Sequence, residues 1–210
     1  MGYDPRVLRR ARAHLKRVDP VMAGVVDQVG PCRMKMESGG SAFASLAEAI
    51  LYQQITGKAA ATIHRRLLDL FARPHPRPED ILEAKEEDLR KVGLSRQKVR
   101  YLKDLAEKAR NGLALDRISR LGDEEAVETL TTVKGIGRWT AEIFLMFRLG
   151  RLDVLPVNDY GIQKAMKRAY RMRSLPKPAR MLRLAERWRP YRTVACWYLW
   201  RSIDGAAGFE

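Results

Sequence analysis

Apolar side chains recur at spacings of three and four along most of this chain, which restricts it to helices. The pattern is plain in Leu46–Leu51, Ala59–Phe71, Val99–Ala109, Ala141–Phe147 and Trp188–Trp200. No run of alternating β-branched and aromatic residues competes with it. Breaks fall at Gly39-Gly40, Pro74 to Pro78, Gly93, Gly112, Gly122, Gly150 and Pro176 to Pro178. Ser95 is placed to cap the helix from Arg96, with Gly112 as its stop, and Asp123 to cap the one that follows it. An all-α protein of about ten short helices follows. No tandem repeat or low-complexity linker sets off an independent domain.

Charge narrows the class of partner. Forty Lys and Arg against 25 Asp and Glu leave a formal net charge of +15. Such an excess favours a polyanion, because each cation set against a phosphate releases condensed counterions. A basic surface that binds nothing, or an anionic membrane surface, fits the same composition. Two cysteines, Cys32 and Cys196, are too few for a disulfide framework and lack metal-ligand spacing. The charged N-terminal stretch has no apolar signal region, and Met1-Gly2 is followed by Arg6 where a myristoylation site needs Ser or Thr. No apolar run has the length of a membrane span. These features predict an intracellular, cytoplasmic chain without a membrane partner.

The segment from Leu130 to Tyr170 carries the chemistry. It begins as a helix, turns at Lys134-Gly135-Ile136-Gly137, and opens a second helix at Arg138 or Trp139. Glycines two apart permit a sharp turn and close backbone approach. The amides from Gly137 onward are donors at a helix N-terminus, a fitting seat for a DNA phosphate. The same glycines equally suit a plain joint between two packed helices. Ile136 is expected to point into the core. Asp159 stands just before the helix Gly161–Tyr170, where an Asp is by itself an ordinary N-cap.

The wider strings are more specific. Leu130-x-x-Val-x-Gly-Ile-Gly-x-x-Thr-Ala141 resembles the helix-hairpin-helix of the base-excision glycosylase superfamily (HhH-GPD). Pro156-Val-Asn-Asp159-Tyr160 resembles the 3-methyladenine DNA glycosylase II branch. Ala49–Ala60, Gly93–Lys98 and Arg189–Trp200 resemble three further blocks of that family, in order along the chain. The large members' extra N-terminal domain has no counterpart here, so the resemblance is to the compact form.

The resemblance implies two helical lobes around a cleft: residues 41–151, carrying the hairpin, and residues 1–40 with 152–210, carrying the essential carboxylate Asp159. It implies damaged double-stranded DNA as the partner of a nucleoid-associated monomer, with no cofactor and at most a structural monovalent cation at the hairpin backbone. Trp139, Ile143, Tyr160 and Trp200 match substrate-pocket positions, with Ile143 departing from the family's aromatic. The DNA contacts expected from the match are Gln53, Gln54, Lys134, Gly135, Gly137, Arg138 and Thr140, with Gln54 favoured as the wedge that fills the gap left by a flipped base. Core packing of the aromatics, and helix capping by the glutamines, are the plain alternatives.

A chemical reading goes with this. Cleaving an N-glycosidic bond develops cationic charge on the sugar, which a carboxylate stabilises. His14, His64 and His75 lie outside every matched block, so no general acid is evident. Alkylation at N3 or N7 makes the purine a good leaving group already, and cation–π attraction favours it. Trp139 stands where the superfamily's lyases hold a Schiff-base lysine, and a four-cysteine cluster is impossible with two cysteines. The expected activity is therefore base release without strand cleavage. A glycosylase for hypoxanthine, uracil or a mismatched base, and a non-enzymatic helix-hairpin-helix DNA-binding module, are the competing readings.

Overall fold

The computed structural model describes residues 3–37, 39–113 and 115–203. Met1 and Gly2, on which the reading of a lipidation signal rested, lie outside them. The described residues form twelve α-helices and two short 3-10 helices, with no strand. They are α1 (Pro5–Val18), α2 (Pro20–Val29), α3 (Ala42–Tyr52), α4 (Gly57–Phe71), α5 (Pro78–Glu83), α6 (Glu86–Lys91) and α7 (Arg96–Arg110). After the 3-10 helix Leu115–Arg120 come α8 (Asp123–Thr131), α9 (Arg138–Phe147), α10 (Tyr160–Ala169), α11 (Pro178–Ala185), the 3-10 helix Glu186–Trp188 and α12 (Arg192–Ile203). No helix among the described residues is long and apolar enough to cross a membrane.

Local chemistry explains most boundaries. Ser41, Thr56, Ser95 and Asp159 each accept a backbone N–H from the first turn of the helix they precede. Gly112 follows α7 at φ 107°, a left-handed value that suits glycine. Two expectations shift. Asp123 is the first residue of α8 and Gly122 holds the cap position, so Asp123 complements the helix dipole there. Trp188–Trp200 is not one helix, because Pro190 has no N–H to continue the ladder and α12 starts afresh at Arg192.

The chain divides into two compact units. A terminal unit takes Met1–Glu37 and Leu145–Glu210; an inserted unit takes Ser38–Phe144. The sequence placed the divisions after residues 40 and 151; here the later one falls inside α9.

In the terminal unit α12 is the central helix, packed by α2, α10 and α1, and Thr193 through Leu199 are all buried. A helix apolar on every side must be enclosed in this way. Asp19, fully buried, ties its neighbours together. Its carboxylate caps α2 through the amides of Val21 and Met22, and accepts the Tyr170 hydroxyl at 2.7 Å and the Trp188 indole N–H at 3.0 Å. Four donors on one carboxylate offset the cost of burying it. In the inserted unit α3 packs on α4 and α7, and α5 on α7. Leu46, Ile50, Leu51, Val99, Leu102 and Leu105 supply its core.

Candidate active site and hairpin

Asp159 lies in the terminal unit, at the N-terminus of α10. Its Oδ1 accepts the Ile162 N–H at 2.7 Å and the Trp200 indole N–H at 3.0 Å. Asp159 as a whole residue is 8% exposed. The capping role the local rule suggests is thus real, and Trp200 adds a second donor from α12. Gly161 makes the approach possible: a Cβ there would stand 3.1 Å from both Asp159 Oδ1 and the Trp200 ring. Phe147 flanks Trp200 at 6.1 Å between ring centroids. Tyr160, the next residue, is 64% exposed, with the Lys164 ammonium 5.6 Å from its ring centre.

The loop leading to Asp159 is pinned from both sides. Arg192 sets Nε against Asp153 Oδ1 at 2.8 Å and Nη2 against the Asp153 carbonyl at 2.6 Å, and Arg189 reaches Oδ2 at 2.6 Å. The Thr193 hydroxyl donates to the Arg151 carbonyl and accepts the Val154 N–H. Nearer the carboxylate, the Asp159 N–H closes a turn on the Pro156 carbonyl, and the Gln163 amide holds that of Val157. These anchors were quoted in the sequence as a matching block without a role. Two arginines three apart around a proline, with an acidic residue upstream, are a signal that could have found them.

The hairpin lies in the inserted unit, between α8 and α9. Its glycines differ in what requires them. Gly135 has φ 84°, and a Cβ there would fall inside the Tyr101 ring of α7. Gly137 has ordinary backbone angles, and a Cβ there would meet nothing within 4 Å. Ile136 is buried between them, as expected. The Asp104 carboxylate takes the Lys134 N–H at 2.9 Å, the Lys108 ammonium at 2.7 Å and the Lys134 ammonium at 3.4 Å. Burial alone would push its carboxyl up, but these donors together hold it below the ordinary aspartate value.

The expected contact residues fall into distinct settings. Trp139 is 46% exposed at the start of α9, and Ile143, one turn on, is half-buried. Thr140 is 8% exposed, so its side chain is turned inward and a DNA contact there would run through the backbone. The Arg138 guanidinium forks onto Glu124 at 2.6 and 2.7 Å and meets Glu142 at 3.0 Å. Burial pushes the Glu142 carboxyl up against the pull of Arg138, and its Oε2 has no hydrogen-bond partner. Gln53 is half-buried and donates to the Gly135 carbonyl, while Gln54 is exposed in the left-handed region at φ 57°.

Side-chain donors already occupy two carbonyls of the hairpin: Gln53 on Gly135 and Lys108 on Thr132. A monovalent cation there would have to share them. The histidines are engaged as follows: His14 with Arg187 and Tyr191, His64 with Glu48 and Tyr52, and His75 against Gly39-Gly40.

Residues 47–190 match the family model of the HhH-GPD superfamily of base excision DNA repair proteins. The chain belongs to that superfamily. It is 36% identical over 200 residues to DNA-3-methyladenine glycosylase 1 of Schizosaccharomyces pombe, covering 93% of this chain and 87% of that one. Among solved structures, the S. pombe 3-methyladenine DNA glycosylase in complex with abasic DNA superposes with a TM-score of 0.80 at 34% identity, over 91% of this chain and 95% of that one. A DNA-3-methyladenine glycosidase from Bacillus halodurans gives the same TM-score at 33% identity, over 90% and 88% of the two chains. The HhH-GPD match spans the hairpin, Asp153, Asp159 and Arg189, so residues of both units belong to the matched stretch.

Proposed function

We propose that this chain is a monofunctional DNA glycosylase that hydrolyses the N-glycosidic bond of alkylated purines in duplex DNA, with Asp159 as the catalytic carboxylate. The observation that carries the reading is the fixed orientation of Asp159, whose Oδ1 is held by a backbone and an indole N–H. A carboxylate so held is organised before substrate arrives. It can face a developing oxocarbenium ion without reorganising, which is where electrostatic catalysis gains most. The names of the relatives, which are 3-methyladenine glycosylases, support the substrate class. The abasic-DNA complex of the S. pombe protein supports DNA as the partner.

Trp139 in the inserted unit and Tyr160 in the terminal unit are each an exposed aromatic face on which a flipped base can stack. An electron-rich aromatic face attracts a cationic 3-methyladenine or 7-methylguanine more than a neutral base. The phosphate seat is the backbone at Gly137, where nothing blocks close approach, and Gln54 is the wedge. With tryptophan at position 139 there is no amine to attack the sugar, so the product is an intact abasic strand. The protein acts as a monomer in the compartment that holds the DNA.

Single-turnover base release from a duplex with one alkylated purine tests this at low salt. The wild type should release the base and leave the strand unbroken. Asp159→Asn keeps the acceptor for both donors but loses the charge, and its rate should fall about 10²- to 10³-fold or more while DNA binding persists. Binding without release by either protein would leave a non-enzymatic helix-hairpin-helix module as the reading.

A further inference from the structure

The turn after α3 and the hairpin meet, within the inserted unit, through one side chain. Gln53 closes α3 and sends its amide to the Gly135 carbonyl at 2.8 Å. A carbonyl only accepts, so the contacting atom is the amide nitrogen. The next residue, Gln54, is exposed at φ 57°, a backbone conformation that is uncommon outside glycine and needs support from its surroundings.

One side of α7 backs both segments. The Lys98 ammonium donates to the Leu51 carbonyl in the last turn of α3. Three residues on, the Tyr101 ring lies against Gly135, and three further, Asp104 accepts the Lys134 N–H. Positions three apart are neighbours on a helix, so a single rigid element holds the turn and the hairpin at a set spacing. Gln53 is the direct link between them.

We propose that Gln53 is a positioning residue that braces the left-handed turn carrying Gln54 against the hairpin, rather than a DNA contact itself. This rests on the reading of the hairpin as a phosphate seat and Gln54 as a wedge. A side chain pushed into a base stack works against stacking and pairing, so its backbone must be anchored to a point that is itself fixed on the DNA. The hairpin is that point, and the Gln53 amide carries the load. Glutamate would set a carboxylate against the carbonyl, and asparagine is one methylene short.

The test uses the whole chain with Gln53→Leu, similar in size but without the amide, and Gln53→Glu as a second variant should the first fold poorly. Hydrogen exchange is read on the free protein. Affinity is read for a duplex with a tetrahydrofuran abasic site and for its undamaged counterpart. Loss of the brace should speed exchange at the hairpin amides by about tenfold, since they no longer share the stability of α3. It should weaken abasic binding by about tenfold, the worth of one net hydrogen bond, and leave undamaged binding within about twofold. Weakened abasic binding with unchanged exchange would make Gln53 a direct DNA contact and overturn the proposal. Faster exchange with unaltered preference for the abasic site would reduce it to a stabilising residue and overturn it equally. A wild type with no preference for the abasic duplex would instead sink the glycosylase reading, and this one with it.

Discussion

Asp159 joins a folding role that the structure displays to the catalytic role proposed for it. As an N-cap it satisfies the Ile162 amide and starts α10, and the same bond fixes which way its carboxylate faces. Trp200 adds a donor to the same oxygen. Trp200→Phe keeps the ring and removes that donor. The expected result is a single-turnover rate about 10- to 100-fold lower, the range for a hydrogen bond to a charged group, with DNA affinity little changed. Lost affinity at an unchanged rate would instead make Trp200 a wall for the base. The cap was legible in the sequence because capping is a local rule. The indole donor was not: it is 41 residues away, and only the packing of α10 on α12 brings it in.

The hairpin shows what an element requires beyond its motif. Two glycines in one short string look alike, yet only Gly135 is forced by backbone angle and by a neighbour. Gly135→Ala should destabilise the protein by about 2–3 kcal/mol, from strain at positive φ and a clash with Tyr101. Gly137→Ala should cost less than about 1 kcal/mol of stability. It should nevertheless weaken DNA binding, because its methyl would stand in the phosphate seat. Thermal melts and duplex titrations on both variants separate the two roles, and equal effects on stability would refute the distinction. Helices whose signals are local were readable, such as α7 with its Ser95 cap. The reading through Pro190 failed because apolar spacing continued past a residue that cannot donate to a helix. Tyr101 as the partner of Gly135 had no local signal at all.

At the scale of the molecule the formal charge of +15 predicts a salt-dependent encounter with DNA. Affinity for undamaged duplex should fall at least tenfold between 50 and 200 mM salt, as expected for several phosphate contacts. A flat salt dependence would mean that the charge does not face DNA. Helical class was legible from the apolar period alone, whereas the charge total left a polyanion, a membrane surface and a basic surface that binds nothing all open, because composition does not say where the charges sit. The division of the chain was not fully legible, since its later boundary falls inside α9, where apolar periodicity runs on without a break.

That division also gives the protein a particular order of birth. Ser38–Phe144 is continuous and can complete its contacts as it leaves the ribosome, whereas the terminal unit is split around it. At typical synthesis rates α1 and α2 exist for roughly 5–20 s before the first residue of their second half is made. The helix that covers them, α12, lies beyond the whole inserted unit in the chain and is made later still. Until then the apolar side of α1, with Leu8, Ala11 and Leu15, packs on α2 without the cover that α12 brings, and the nascent chain carries a sticky surface that a chaperone would recognise.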